Sequence, residues 1–155
     1  MLNNAIDHSG GAEVVISIEY TTASLKMIIH DDGVGIFRKI KDALGLDDER
    51  HSMLELTKGK FTTDPSRHSG LGIYFTSRAC DRFALMSGEL SFMHSPRGND
   101  WLFDDGKQRV QGTVVMLEVY PSTHRVLNDV FNEASTPDNP GFSKTHIPVT
   151  VATYG

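Results

Sequence analysis

A short segment that contains two glycines, His30-Asp31-Asp32-Gly33-Val34-Gly35-Ile36, ends an alternating apolar run and constrains the local backbone. A carboxylate at the end of a strand can accept a hydrogen bond from an exocyclic amine. Gly33 and Gly35 let the backbone approach a flat ring closely or adopt a positive φ. This combination suits adenine better than phosphate. The segment therefore predicts the base-binding part of a nucleotide pocket, with Asp31 as the acceptor.

A second glycine pair, Gly70-Leu71-Gly72-Ile73, stands where a polar loop gives way to a helical pattern. The first turn of a helix presents free backbone N–H groups and the positive end of the helix dipole, and both attract phosphates. The first segment therefore predicts recognition of the base, and the second predicts recognition of the triphosphate. Either glycine pair alone is a weak signal.

Length and charge limit the class of protein. A chain of 155 residues fits one domain that buries roughly 70% of its unfolded surface, which is enough for a core without disulfides. The net charge of −5 and the pI near 5.7 argue against direct nucleic-acid binding, because such proteins carry a basic face. No apolar stretch approaches the ~20 residues of a membrane span, and the amino terminus shows no leader. We expect a soluble cytoplasmic protein without membrane contact.

The single cysteine and the seven histidines do not indicate a metal centre. Cys80 lies inside a predicted helix, and we expect it to be a core or half-buried thiol in a reducing compartment. The histidines show no paired metal-ligand spacing, and one cysteine cannot complete a thiolate site. Structural zinc is therefore not expected.

Apolar periodicity predicts the elements of the first half of the chain. Leu2, Ala5 and Ile6 have helical spacing and look like the last turns of a helix whose beginning is missing. Two alternating runs rich in β-branched residues predict a hairpin, and two short helices and a polar lid follow. The hairpin strands are predicted at Glu13–Tyr20 and Ser24–His30, the helices at Phe37–Leu44 and Glu49–Leu56 with Asp47 as cap of the second, and the lid at 57–69.

The second half begins with a helix predicted from about Gly70 to Arg82, followed by strands at 83–87, 89–94 and 114–120. The polar stretch 98–111 is either a surface loop or one short helical turn. Within it, Trp101 and Phe103 form either an exposed patch or, as we expect, part of the buried sheet surface. This order of elements predicts an α+β fold in which helices cover one face of an antiparallel or mixed sheet.

The chain changes character after residue 120. A short helical segment is predicted at 126–131, and the stretch 136–141 is rich in proline, aspartate and asparagine. We expect a linker over 121–143 and a terminal strand within 144–155. That strand is either the edge of the same sheet or the first strand of a second domain.

Four short motifs together resemble the GHKL ATPases, the family of gyrase, the heat-shock chaperone, histidine kinase and MutL. They are Asn4-Ala5 with His8-Ser9, Asp31-x-Gly33-x-Gly35, Gly70-Leu71-Gly72-Ile73 and Gly112-Thr113. The resemblance covers residues 1–120 and implies a two-layer α/β sandwich of the Bergerat type, with a mixed, mostly antiparallel sheet and helices on one face. The lid with its Gly59–Pro65 stretch and the Phe75–Arg78 helix look most like domains related to anti-sigma-factor kinases. The tail 142–149 resembles the first strand of a STAS-like domain.

The resemblance implies ATP and Mg²⁺ as cofactors and assigns roles to individual residues. Asn4 would bind Mg²⁺, Asp31 the adenine amine, and Thr113 would assist through water. An amide oxygen is a suitable hard ligand for Mg²⁺. Lid cations, Lys58 and Arg67 among them, either neutralise the triphosphate or form a solvated charge cluster. The residues expected to contact the nucleotide are Asn4, His8, Asp31, Gly33, Gly35, Ile36, Lys60, Thr62, Thr63, His68, Ser69, Gly70, Leu71, Gly72, Ile73 and Thr113.

The family's general base is a glutamate four residues before the asparagine that matches Asn4, and that position lies ahead of Met1. We therefore assign no catalytic residue in this chain, either because the helix is truncated or because turnover is not a property of this fragment. One hypothesis is an ATP-binding domain of a bacterial regulator that uses Mg-ATP for phosphotransfer to a protein or for slow hydrolysis. The alternative is a nucleotide-sensing module that controls a protein partner through its lid without turnover. A homodimer is left open.

Overall fold

The computed structural model describes residues 1–58, 72–95, 100–104, 106, 109–123, 129–130, 135–136, 139–142 and 149–153. The helices in this part of the chain are α1 Leu2–His8, α2 Ile36–Leu44, α3 Glu49–Lys58 and α4 Gly72–Ala79. The strands there are β1 Val14–Tyr20, β2 Leu25–Asp31, β3 Arg82–Gly88, β4 Leu90–His94, β5 Asp100–Asp104, β6 Val110–Val119, β7 Ser135–Thr136, β8 Asn139–Phe142 and β9 Val149–Thr153.

One sheet carries most of the strands, in the order β1-β2-β6-β3-β4-β5-β9. The neighbouring pairs from β1 to β5 are antiparallel, and β9 joins β5 in parallel. Asp31 at the end of β2 pairs with Thr113 near the start of β6. Strands β2 and β6 are far apart in the sequence but are neighbours in the sheet. Their pairing brings the first glycine segment, residues 30–36, beside the Gly112-Thr113 pair.

The core lies between one face of this sheet and the helices. Alternate residues of β3 and β4, such as Leu85 and Phe92, face the helices and are almost fully buried. Phe37 and Ile40 of α2 stand three residues apart and present one apolar stripe to the sheet. Full burial of each such side chain stabilises the fold by roughly 1.5–3 kcal/mol. The helix that follows the first glycine segment is therefore fixed against the sheet by its own core residues.

The predicted α+β fold class, the first hairpin and the helices over one sheet face are confirmed. Several predictions about element boundaries are wrong, and the strand predicted at 114–120 begins already at Val110. Helix α3 continues to Lys58 instead of ending at Leu56, and α4 ends at Ala79, because Arg82 already begins β3. Asp48 caps α3 instead of Asp47, since its Oδ1 accepts the amide hydrogen of Arg50 at 2.9 Å.

The stretch around Trp101 was predicted as a loop or a helical turn, and this is wrong because it forms strand β5. Leu102 is buried in the core, whereas Trp101 is 40% exposed and stacks on Phe103 on the opposite face of the sheet. The expected burial of Trp101 against the sheet is therefore also wrong. Three consecutive apolar residues do not alternate, so the sequence gives no period-2 signal for this strand.

Beyond residue 123 the described residues are few. Residues 129 and 130 are helical, within the short helix predicted at 126–131. Strands β7 and β8 form a small antiparallel pair inside the predicted linker. Strand β9 hydrogen-bonds with β5 at the edge of the main sheet, the first of the two alternatives for the terminal strand. The domain boundaries themselves remain predictions.

Candidate functional site

Asp31 ends β2 with a carboxylate that the backbone holds in one orientation. The residue is 5% exposed. Its Oδ1 accepts hydrogen bonds from the amide nitrogens of Gly33 at 3.0 Å and of Thr113 at 3.2 Å. Among the described residues, none donates a hydrogen bond to Oδ2. One carboxylate oxygen is thus anchored and the other is available as an acceptor, as an exocyclic amine requires.

Thr113 connects the strand end to the start of α2. Its amide donates to Asp31, and its Oγ1 accepts the amide hydrogen of Ile36 at 3.1 Å. Ile36 opens α2, so this contact satisfies one of the backbone donors that the first turn leaves free. The threonine hydroxyl keeps its own hydrogen to donate to a water molecule or a ligand.

Three glycines around Asp31 leave no room for a side chain. A Cβ on Gly33 would lie 2.3 Å from the carbonyl oxygen of Ser9, and one on Gly35 would lie 2.5 Å from Oγ of Ser87. A Cβ on Gly112 would lie 1.9 Å from the carbonyl oxygen of Asp31. Gly35 has φ +93° and Gly112 has φ +67°, a region that favours glycine. Gly35 thus adopts the positive φ that was one of the two alternatives for this segment, and the approach of a flat ring stays a prediction.

Helix α1 is attached to the first glycine segment by its carboxyl end. The amide of Val34 donates to the carbonyl of Ser9 at 3.0 Å, and Nζ of Lys39 donates to the carbonyl of His8. Asn4 and His8 stand one turn apart on the same side of α1, and both are half-buried. The side chain of Asn4 has no hydrogen-bond partner among the described residues, so its amide oxygen is available to a ligand.

Asp32 fixes the neighbouring loop and not the pocket itself. Its Oδ1 accepts the amide hydrogens of Ala12 at 2.8 Å and of Glu13 at 2.9 Å. The hydrogen bond from the Glu13 amide is the main reason why the pKa of Asp32 lies below its usual 3.8. Two adjacent aspartates thus have separate tasks, because Asp31 faces inward and Asp32 holds the loop from the surface.

The remaining predicted site residues divide into two groups. Ile36 and Ile73 pack against the core with their side chains, and Gly72 is exposed at the start of α4. Lys58 is helical and pairs with Glu55 at 2.5 Å. The other members lie outside the described residues, and these are Lys60, Thr62, Thr63, Arg67, His68, Ser69, Gly70 and Leu71.

Ser87 is a contributor that sequence reasoning missed. Its Oγ donates to the carbonyl of Gly112 at 2.7 Å, and the β3–β6 register shifts between Met86 and Gly88. This contact supports the backbone on which the Thr113 amide stands. Nothing local in the sequence marks the serine, because its partner lies 25 residues further along the chain.

The described part of the chain contains no cluster of three or more His, Cys, Asp or Glu side chains fit to hold a metal ion. Within the same residues, no helix has the length and apolar character needed to cross a membrane.

Helices over one face of a mostly antiparallel sheet, and a buried carboxylate with one open acceptor oxygen among close-packed glycines, define a nucleotide-binding α+β domain. A family model described as histidine kinase-, DNA gyrase B-, and HSP90-like ATPase matches residues 1–123. The chain belongs to this family, and residues 1–123 are an ATP-binding domain of the GHKL type. No curated protein matches the chain.

Proposed function

We propose that this chain is the ATP-binding domain of a bacterial cytoplasmic signalling or transcription regulator, and that it binds Mg-ATP for phosphotransfer to a protein or for slow hydrolysis. The observation that carries the proposal is the carboxylate of Asp31, with Oδ1 held by two backbone amides and Oδ2 left as an acceptor. Family membership supports the choice of ATP. The sequences of the lid and of the Phe75–Arg78 segment of α4 favour the subgroup related to anti-sigma-factor kinases.

The residues fit adenine at one end of the pocket. Oδ2 of Asp31 would accept a hydrogen bond from the exocyclic amine, and the hydroxyl of Thr113 would reach the ring through water. Gly33 and Gly35 would let the flat ring approach the backbone, because neither residue carries a side chain. Each contact uses a group whose orientation the sheet and α2 already fix, so little ordering is needed on binding.

The residues also fit Mg²⁺ and phosphate at the other end. The amide oxygen of Asn4 is a hard ligand of the type that Mg²⁺ accepts alongside phosphate oxygens and water. The start of α4 at Gly72 would direct backbone N–H groups toward the phosphates. Bound Mg-ATP would supply the transferable phosphoryl group. This chain's own part is to hold the base, the metal and the phosphates in one fixed arrangement.

A nucleotide-sensing module without turnover is the second candidate. Hydrogen bonds connect α1 with the first glycine segment and with α2, through Ser9, Val34, Lys39 and His8. Nucleotide in the pocket would therefore restrain α1 as well as the segment that holds the base. A protein partner that contacts α1 or the lid would respond to that restraint. Both candidates need the same pocket and differ in turnover.

A calorimetric titration of the chain with ATP, with and without Mg²⁺, tests the proposal. Asp31→Asn preserves the acceptor Oδ1 but replaces Oδ2 with an NH₂ donor, which opposes the adenine amine. We expect the substitution to weaken ATP binding by about 10–100-fold, the effect of losing a hydrogen bond to a charged group. The same NH₂ donor suits the 6-oxo group of inosine triphosphate, so the preference for ATP over that nucleotide should disappear or reverse.

Asp32→Asn is the matched control, because it removes an adjacent carboxylate that holds the loop instead of the pocket. Its affinity for ATP should stay within about threefold of the unsubstituted chain. Equal ATP affinity in the unsubstituted chain and in Asp31→Asn would contradict the assigned base contact. The absence of saturable binding by the folded chain would contradict the proposed function as a whole.

A further inference from the structure

A buried polar network joins the last turn of α4 to strands β4 and β5. Asp100 stands at its centre and is 3% exposed. Its Oδ2 accepts a hydrogen bond from Nη2 of Arg78 at 2.5 Å, and its Oδ1 lies 2.6 Å from Nδ1 of His94. Arg78 also donates from Nη1 to Oγ of Ser77, and its guanidinium lies 4.7 Å from the centre of the Tyr74 ring.

Asp100 joins the other two members of the network, Arg78 and His94. A carboxylate only accepts hydrogen bonds, so Nδ1 of His94 donates to it. The other ring nitrogen of His94, Nε2, is buried and has no hydrogen-bond partner among the residues that the structure describes. The orientation of the imidazole therefore depends on Asp100, and Asp100 together with Ser77 and Tyr74 directs the Arg78 guanidinium.

The network lies at the opposite end of the sheet from the base-binding segment. Strand β4 ends at His94 and β5 begins at Asp100, whereas β2 ends at Asp31. The antiparallel pairings from β2 through β6 and β3 to β4 place these strand ends far apart. Arg78 stands about 9 Å along the helix axis from Gly72, at a rise of 1.5 Å per residue. The network thus fixes one end of α4, and Gly72 begins the other.

Stability alone is a poor reason to keep such a network. Burying Arg78 and Asp100 takes two charges out of water, and apolar residues of similar volume often give equal or greater stability. What the ion pair adds is direction, because the planar guanidinium donates at fixed angles. The pair therefore selects one rotation and one axial position of α4 against β5, where an apolar contact would allow α4 to slide.

We propose that Asp100 is a positioning residue for nucleotide binding, which acts through Arg78 to place the amino-terminal turn of α4 against the phosphates. The inference rests on the proposed function, since it concerns the triphosphate end of that same pocket. Asp100 touches no nucleotide atom, and it leaves the adenine contact at Asp31 unaffected. Its substitution should therefore weaken binding of ATP selectively over adenosine, which has no phosphates.

The test measures the dissociation constants of ATP and adenosine by calorimetry, well below the melting temperature of each variant. Asp100→Asn keeps an acceptor for His94 but sets an NH₂ donor against Arg78. It should weaken ATP binding about tenfold and leave adenosine binding within about twofold. A double variant, Arg78→Met with Asp100→Leu, replaces the pair with apolar residues and should fold even where Asp100→Asn does not. It should show the same selective loss.

Glu118→Gln is the matched control, because Glu118 pairs with Arg82 of β3 at the same end of the sheet. This variant should keep the ATP-to-adenosine ratio of the unsubstituted chain. An unchanged ratio in both Asp100 variants would overturn the inference while ATP binding by the unsubstituted chain still stands. A chain that binds neither nucleotide would overturn the proposed function, and with it the inference.

Discussion

Two adjacent aspartates show how one step along the chain changes the role of a side chain. Asp31 is the last residue of β2, and its side chain faces inward. Its carboxylate therefore meets two backbone donors at the candidate site. Asp32 follows the strand and turns outward to hold the amides of Ala12 and Glu13. The same chemical group therefore holds the loop at Asp32, whereas at Asp31 it has the recognition role that we propose.

The loop contact of Asp32 makes a pH-dependent contribution to stability. Hydrogen bonds from the backbone, that of Glu13 foremost, lower the pKa of Asp32 below its usual 3.8 in the folded state. A carboxyl group with a depressed folded pKa adds stability above its unfolded pKa, and loses it as the pH falls through the folded value. We therefore expect Asp32→Asn to melt below the unsubstituted chain at neutral pH, and the gap to close below pH ~4.

Melting temperatures followed by circular dichroism between pH 7 and pH 3, as a rough range, measure this gap. Asp47→Asn is the control, because Asp47 is an exposed aspartate that makes no hydrogen bond in the described part of the chain. A gap for Asp32→Asn that stays constant or widens toward low pH would contradict the role of the charged carboxylate.

The elements were predictable where the residues alternate or repeat with one clear period. Strands β1 and β2 alternate, and α2 carries its apolar residues three to four apart, so both patterns indicated the right structure. Strand β5 was missed because Leu102 faces the core while Trp101 and Phe103 cover the opposite face, so both faces are apolar. The cap of α3 was misplaced by one residue, since Asp47 and Asp48 are chemically equivalent and only the backbone geometry distinguishes them.

The candidate site was predictable where its chemistry is local. Asp31, Gly33 and Gly35 occupy a single segment, and the sequence marks them by composition. The contributions of Ser87 and Gly112 depend on the register of β3 against β6, which is set by contacts between residues far apart in the sequence. A single sequence does not display such a register.

Gly112 of β6 lies close to the backbone of Asp31 at the end of β2. We expect its substitution to destabilise the fold more than substitution of Gly45, which has similar backbone angles. Gly112 has φ +67° and Gly45, at the end of α2, has φ +63°. An alanine Cβ at Gly112 would lie 1.9 Å from the carbonyl oxygen of Asp31, whereas at Gly45 it would meet no atom within 4 Å.

Gly45→Ala should therefore cost only the left-handed backbone penalty of about 1–2 kcal/mol. Gly112→Ala should cost at least about 1 kcal/mol more, since β6 must also move away from β2. Urea unfolding at equilibrium gives both free energies. Equal losses of stability in the two variants would show that the close approach of Gly112 to Asp31 is relaxed in solution.

At the scale of the whole molecule, the two edges of the main sheet differ. Strand β9 lies at one edge, beside β5, and β1 lies at the other with only β2 as a neighbour. The outer backbone groups of β1 have no strand partner within the described residues, and β1 carries exposed apolar side chains. Natural edge strands are usually protected by charges, prolines or bulges, because an open apolar edge pairs with other chains.

This edge is where we expect a homodimer, which the sequence left open, to form. Ile18 is 62% exposed and Tyr20 is 82% exposed on the outermost strand. We expect the chain to self-associate through β1 at micromolar to millimolar concentration, and Ile18→Lys to shift the equilibrium toward monomer. Leu44→Lys is the control, because Leu44 is an exposed apolar residue, at 45%, on α2 instead of β1.

Sedimentation equilibrium over a concentration series gives the dimer dissociation constant for each variant, and Ile18→Lys should raise it about tenfold or more. ATP affinity should be unchanged in Ile18→Lys, because the substitution is distant from Asp31. Asp31 pairs with Val14, which lies four residues along β1 from Ile18. A monomer at every concentration, or an equal effect of Leu44→Lys, would contradict self-association through β1. A selective effect of Ile18→Lys would place self-association at β1 and leave the nucleotide pocket to act within each copy.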